Sequence, residues 1–325
     1  MLLTALTRRT VLGGLSALFA VPARSEPSWP DRPIMLVHGF AAGGPTDTVA
    51  RIVAEGLSRR LGQQVVVDPR PGASGTTAAG QVARAAHDGY TLIAIPGGHA
   101  TAAALHRKLS YRTVDDFSMI STTSEYPFVF VTYSDHTIET MADLISTARS
   151  CQTPLLYGSP GIGSVHHLSI ELLARMADIQ LQHVPYRGSA QAVADLISKR
   201  IDFMIDPPTL MIEFVRDGRL RALGTTGASR FFGMPDVPTL SEAALPGYVV
   251  TSWQGLAGPA SVSPSIIERL NREVAAVLAE PAIVERLRLL GNDPKPSSPD
   301  AFRARVAADV EKWSEVVEAA HIERI

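Results

Sequence analysis

Ile34-Met35-Leu36-Val37-His38-Gly39-Phe40-Ala41-Ala42-Gly43-Gly44-Pro45-Thr46-Asp47 is the stretch on which the reading of this chain turns. Ile34 to Val37 is a short apolar run of the kind that forms a buried parallel strand. Val49, Ile52, Val53, Leu57 and Leu61 then repeat at helical spacing, and Gly62 ends the helix. Between them, Phe40, Ala41, Ala42, Gly43 and Gly44 make a glycine-rich turn. Gly44 is the expected N-cap, with Pro45 at the first helical position, where a missing N–H costs nothing. Thr46 and Asp47 present N–H groups at the positive end of the helix dipole, where an anion can sit. Taken alone, the glycines also fit a plain strand–helix turn. Asp47 has two open roles, capping the helix or receiving a donor group of a ligand.

A second loop of the same kind follows Tyr157-Gly158. Ser159, Gly161, Ile162, Gly163 and Ser164 precede a helix expected over Val165 to Ala177. The three glycines only partly match G-x-G-x-x-G, and His166 stands in place of the last one, against a dinucleotide site. Three further turns follow strands in the same way: Ser74-Gly75, Gly97-Gly98-His99 and Gly188-Ser189, the last after Tyr186-Arg187. Ligands of open α/β sheets sit beyond the carboxyl ends of strands. His99, Tyr186 and Asp206 are the expected selecting side chains; Asp206, at the end of a strand over Ile201 to Ile205, fits structural capping equally well.

Outward from these loops the chain alternates strand and helix. Strands are expected at Val65 to Val67 and Tyr90 to Ile95, with a helix from Thr76 to Ala86 between them. Phe128 to Val131 is an expected strand and Met141 to Ser150 an expected helix; a second alternating set then runs from Leu155 to Gly224, with a helix at Ala190 to Ser198. Past Trp253 the chain reads as helices at 266–278, 282–290 and 302–319. The expected fold is α/β with two lobes, each a mostly parallel sheet flanked by helices, and a ligand cleft between them. The division expected is lobe 1 from 26–124 plus 254–325, and lobe 2 from 125–253.

Residues 1–25 read as an export signal. Arg8-Arg9 precede an apolar stretch from Val11 to Val21, too short to span a bilayer, and small residues near Ala23 offer a cleavage site. Thr7-Arg8-Arg9-Thr10-Val11-Leu12 fits the twin-arginine route. Removing Arg8, Arg9 and Arg24 takes the formal charge from −2 to −5, so nucleic acid is not an expected partner. Cys151, the only cysteine, allows no internal disulfide and no cysteine-based metal cluster. Leu36-Val37-His38-Gly39-Phe40 resembles an oxyanion loop, but no G-x-S-x-G nucleophile elbow accompanies it. No H-E-x-x-H occurs, and adjacent His166-His167 diverge on a helix. No catalytic residue, metal or cofactor is expected.

An ordered set of motifs resembles the substrate-binding proteins of tripartite tricarboxylate transporters, the Bug family. It runs from Trp29-Pro30-Asp31-Arg32-Pro33-Ile34 through Ala42-Gly43-Gly44-x-x-Asp47, Arg70-Pro71-Gly72-Ala73-Ser74-Gly75 and Asp88-Gly89-Tyr90-Thr91-Leu92. It continues with Tyr157-Gly158-Ser159, His183-Val184-Pro185-Tyr186-Arg187-Gly188, Pro235-Asp236-Val237-Pro238-Thr239 and Trp253-x-Gly255-Leu256. Gly39 and Pro69 depart from it, where the family usually has Pro and often has Asn.

The resemblance implies a type II periplasmic binding fold that closes on its ligand. It implies that Phe40 to Asp47 and Ser159 to Ser164 grip a carboxylate through backbone N–H groups and bridging waters. The implied ligands are di- and tricarboxylates, acidic amino acids or aromatic acids. The implied partner is a permease of two integral membrane subunits; past residue 25 no second long apolar run occurs, so the mature protein is expected to be a soluble monomer. A sensory protein for a two-component receptor is the alternative reading, and an α/β hydrolase a more distant one.

Overall fold

The computed structural model describes residues 29–325; the export segment read at residues 1–25 lies outside them. The chain first runs β1 (Ile34–His38), α1 (Pro45–Leu61), β2 (Val65–Pro69), α2 (Thr76–Val82), β3 (Thr91–Pro96), α3 (Gly98–Leu105) and β4 (Phe117–Pro127). Next come β5 (Val129–Tyr133), α4 (Met141–Ser150), β6 (Leu155–Ser159), α5 (Val165–Ala177), β7 (Leu181–Pro185), α6 (Ser189–Ile197), β8 (Phe203–Asp206), α7 (Pro208–Arg216), β9 (Leu220–Thr225) and α8 (Leu240–Ala243). It ends with β10 (Thr251–Pro259), α9 (Pro264–Leu278), α10 (Pro281–Leu289), β11 (Asp293–Pro294) and α11 (Pro299–Ala319).

The strands form two sheets, ordered β11-β4-β10-β3-β1-β2 and β7-β6-β8-β5-β9. In the first, β1 pairs parallel with β2 and β3, while β10 runs antiparallel between β3 and β4. Strands β1 to β4 therefore share one direction, opposed by β10 and β11. In the second, β6 pairs parallel with β7 and β8, and β5 lies antiparallel between β8 and β9. The two sheets thus share one plan, in which the reversed strand next to the parallel set is the one that carries the chain in from the other sheet.

Local chemistry explains the helix ends. Gly44 is the N-cap of α1 with Pro45 behind it, and Gly62 closes the helix in the left-handed region at φ +71°. Val49, Ile52, Val53, Leu57 and Leu61 are buried on its inner face. Each such side chain contributes about 1.5–3 kcal/mol on burial. Thr140 and Asp143 form a capping box at α4.

Three elements differ from the sequence reading. The helix expected to Ala86 stops at Val82, because Arg84 and Ala85 donate to the carbonyls three residues back and tighten the chain into turns. β4 shows no apolar alternation. Its Ser121, Thr122 and Ser124 are buried, with hydroxyls bonded to Ser297, Lys295 and Asn292 near the strand at Asp293. β10 is fully inside the first sheet, although Gly255 and Gly258 gave it no strand signature.

The chain passes between the sheets at Phe128 and again between Thr225 and Thr251. Thr226 ties the two passages together. Its Oγ1 accepts from Phe128 N–H at 2.8 Å and donates to Val250 O at 2.6 Å, and its backbone bonds to both residues as well. Helices α3 and α11 also serve both sheets. Ala100, Ala104, Trp313 and Val316 pack with Phe130, Tyr157 and Phe203 of the second sheet. Phe302 and Val306 pack with Ile95 and Trp253 of the first.

Candidate functional site

The five glycine-bearing turns all follow the carboxyl ends of strands: β1, β2 and β3 in the first sheet, β6 and β7 in the second. In the loop after β1, Ala41, Ala42 and Gly43 are exposed. Gly43 takes φ +78°, which glycine accepts without strain. The N–H groups of Ala41, Ala42, Thr46 and Asp47 meet no acceptor among the described residues. Helix α1 thus opens with unpaired donors beside an exposed loop.

Asp47 is only 2 % exposed, and both its oxygens are occupied. Oδ1 lies 2.9 Å from His38 Nε2. Oδ2 accepts from Gly43 N–H at 3.0 Å and Arg51 Nε at 2.7 Å. Burial pushes the Asp47 pKa up. The hydrogen bonds from Arg51, Gly43 and His38, with the Arg51 charge, overcome this and take it from 3.8 down to about 2. The carboxylate therefore holds the loop's shape. His38, fully buried on β1, stood in the sequence only within the oxyanion-like stretch and was not a candidate ligand-binding residue; its Nδ1 accepts from Phe40 N–H at 3.4 Å.

Ser74 and Gly75 lie against this loop. A Cβ on Gly39 would fall 2.2 Å from the Gly75 Cα, and one on Gly75 would meet the Phe40 ring at 3.3 Å. Phe40, Ser74, Gly75 and His99 line a single cavity together with Pro96, Ala102 and Tyr111. His99 itself is buried, stacked on Tyr111 and edge-on to Phe117, and donates through Nε2 to Thr113 O at 3.0 Å. Burial lowers its pKa to about 4, so it is a neutral ring at pH 7.

In the second sheet, Ser164 caps α5 by accepting from His167 N–H at 3.2 Å. Gly161 and Gly163 take φ of +148° and +73°. Their N–H groups are already used, by Ser159 Oγ at 3.2 Å and by His167 Nδ1 at 3.0 Å. Those of Ile162, Val165 and His166 meet no acceptor among the described residues. Ile162 stands out from the tip, 58 % exposed. A Cβ on Gly163 would lie 2.2 Å from Leu105 at the end of α3, so this loop touches an element that follows the first sheet's β3.

A buried network supports the second loop. His183 Nε2 lies 2.7 Å from Ser159 Oγ, and the His167 and His183 rings stack at 3.9 Å. Burial lowers His167 to about 3, helped by His183 beside it, and lowers His183 to about 4. Both are neutral at pH 7, as His167 must be to accept the Gly163 N–H. Tyr157 stacks on His183 and donates to Glu171. Sequence spacing did not reveal this network. It follows from the strand register that puts His183 opposite Tyr157, which neither strand's sequence announces.

Tyr186 sits just past β7, but its hydroxyl donates to Asp195 at 2.9 Å on α6. Asp206 ends β8, 3 % exposed, with Oδ1 3.6 Å from His166 Nε2. Among the described residues no three His, Cys, Asp or Glu are grouped to hold a metal ion.

A family model described as "Tripartite tricarboxylate transporter family receptor" matches residues 49–322. A UPF0065 protein from the tcbD-tcbE intergenic region of Pseudomonas sp. (strain P51) is 36% identical over 314 residues, covering 95% of this chain and 94% of that one. Among solved structures, R. palustris Rpa4515 with adipate has a TM-score of 0.79 at 35% identity, covering 91% of this chain and 100% of that chain. MatC (Rpa3494) from Rhodopseudomonas palustris with bound malate has a TM-score of 0.74 at 33% identity, covering 89% and 99%.

Proposed function

The chain belongs to the tripartite tricarboxylate transporter receptor family, and from that premise we propose that it captures a small organic carboxylate between two lobes. Its fold is the two-lobed type II periplasmic binding fold, and receptors of this family work in the periplasm. The lobes we assign are 26–124 with 254–325, and 125–253. The change of sheet between Pro127 and Val129, and again before Thr251, supports that division.

One observation carries the ligand class. Each sheet presents a helix start with unpaired N–H groups, Thr46 and Asp47 at α1, Val165 and His166 at α5. Such donors replace the lost hydration of a carboxylate without needing an arginine. The contacts fall to Phe40 to Gly44, Thr46, Ser74 and Gly75 on one jaw, and to Ser159 and Gly161 to Ser164 on the other. Asp47 acts in this site by holding Gly43, while His99 Nε2 and the Tyr186 hydroxyl are engaged by Thr113 and Asp195, so these two side chains shape the cleft wall.

Binding in this reading involves no cofactor and no catalytic step. Arg8-Arg9 support export by the twin-arginine route, and the loaded protein docks on a permease of two integral subunits. Malate and adipate in the related structures support an acid of this size. Isothermal titration with citrate, succinate, malate, glutamate, nicotinate and benzoate tests the reading. One saturable site for at least one acid is expected; no heat from any acid, with clear binding of a sugar, overturns it.

A further inference from the structure

Asp206 is a buried carboxylate whose needs the protein leaves unmet. Its Oδ2 has no hydrogen-bond partner among the described residues. Its Oδ1 is 3.6 Å from His166 Nε2, longer than a hydrogen bond. Both ring nitrogens of His166 are likewise buried and unpartnered, as is Thr225 Oγ1. A buried acceptor left empty is costly, and a buried charge more so. Asp206 and His166, side by side, with Thr225 across β5 from them, mark a site that receives something from outside the chain.

Their positions put that site beside the carboxylate grip. Asp206 and Thr225 end β8 and β9, and each pairs with Val129, on opposite edges of β5. His166 lies in the first turn of α5, directly after the second loop, with its ring 4.8 Å from Phe128 at the crossing between sheets. On the other side stands Tyr126 of β4, whose hydroxyl pKa is raised by burial and further by the Asp206 charge. The cluster thus borders both sheets.

We propose that Asp206, Thr225 and His166 form a subsite that reads a hydrogen-bond donor on the bound acid, an ammonium or a hydroxyl group. This rests on the carboxylate reading above and narrows it. Asp206 accepts from the donor through Oδ2, and Thr225 Oγ1 supplies a second acceptor. A hydroxyl also accepts from His166, whereas an ammonium offsets the Asp206 charge. A second carboxylate placed there without a donor meets repulsion from Asp206 that the one N–H of His166 offsets only in part.

Matched acids test it: succinate against malate and aspartate, glutarate against glutamate, benzoate against 4-hydroxybenzoate. Affinities are measured by isothermal titration for the native protein, D206N and T225V, with melting curves to show that each variant folds. The native protein should prefer a donor-bearing acid over its donor-free match by at least about tenfold. Whether the hydroxyl or the ammonium member wins identifies the donor. D206N should erase that preference and improve binding of the donor-free acid, since the amide can donate to it; T225V should narrow it. Equal affinity within every pair, unchanged in D206N, overturns the proposal and leaves the cluster as a site for water alone, while the carboxylate reading stands. Silence of every acid overturns both.

Discussion

His38 Nε2 and Asp47 Oδ1 lie 2.9 Å apart in the interior, and this pair fixes the shape of the exposed loop between them. His38 is on a strand and Asp47 in the first turn of a helix, so the contact clamps the loop across its base. Because Nδ1 of His38 receives the Phe40 N–H, Nε2 carries the proton and donates to Asp47. The other Asp47 oxygen holds Gly43. The loop's free donors point outward because its carboxylate is already engaged.

Asp47→Ala should therefore weaken carboxylate binding without touching the ligand. It leaves His38 and Gly43 without their acceptor, at a cost of about 1–3 kcal/mol. The melting temperature should fall by several degrees while the far-ultraviolet circular dichroism stays native. An unchanged melting temperature would mean that the clamp carries no energy.

Gly163 has two reasons to be glycine, its φ of +73° and the Leu105 side chain 2.2 Å from where a Cβ would stand. Gly163→Val should cost at least about 1–3 kcal/mol from overpacking and abolish ligand binding. Leu105→Ala in the same chain should recover part of the stability, because it removes the clash and leaves the backbone strain. Full recovery in the double variant would show that backbone conformation contributes nothing.

Two buried histidines and the half-buried His183 set a pH dependence. His99, His167 and His183 have folded-state pKa values of about 4, about 3 and about 4, all below 6.5 because burial disfavours the charged ring. The unfolded chain binds more protons in that window. Their contribution is thus present above pH 6.5 and is lost progressively as pH falls toward 4 and 3. Glu171 opposes this, since burial raises its pKa. Melting temperature should fall steadily from pH 7 to pH 4, and less steeply in His167→Asn, which keeps an acceptor for Gly163. A flat native profile would contradict the neutral-ring assignment.

Thr226 joins the two crossing strands through one hydroxyl bonded on both sides. Thr226→Val keeps the shape and removes both bonds, leaving Phe128 N–H and Val250 O unpaired. Stability should fall by about 1–3 kcal/mol, read from urea denaturation. A neutral result would show that the backbone bonds of residue 226 suffice at the crossing.

What the sequence made legible was local. Gly44-Pro45 and Ser164 announce helix starts because caps act within one turn, and the helix expected over 165–177 is found there. Longer-range features stayed hidden. The support of Ser159 by His183 depends on pairing between β6 and β7, and that register is not written in either strand alone. β4 was invisible because it is held by buried hydroxyls rather than by alternating apolar side chains. Asp206 could be placed at a strand end, but its isolation from partners appears only when the fold surrounds it.

In the proposed binding mode two helix starts, one on each sheet, grip one carboxylate through backbone N–H groups. Amide chemical-shift titration of the ¹⁵N-labelled protein with its tightest-binding acid tests this most directly. Thr46, Asp47, Ile162, Val165 and His166 should shift together and saturate at one acid per chain. Shifts confined to one of the two loops, or lying elsewhere in the protein, would contradict it.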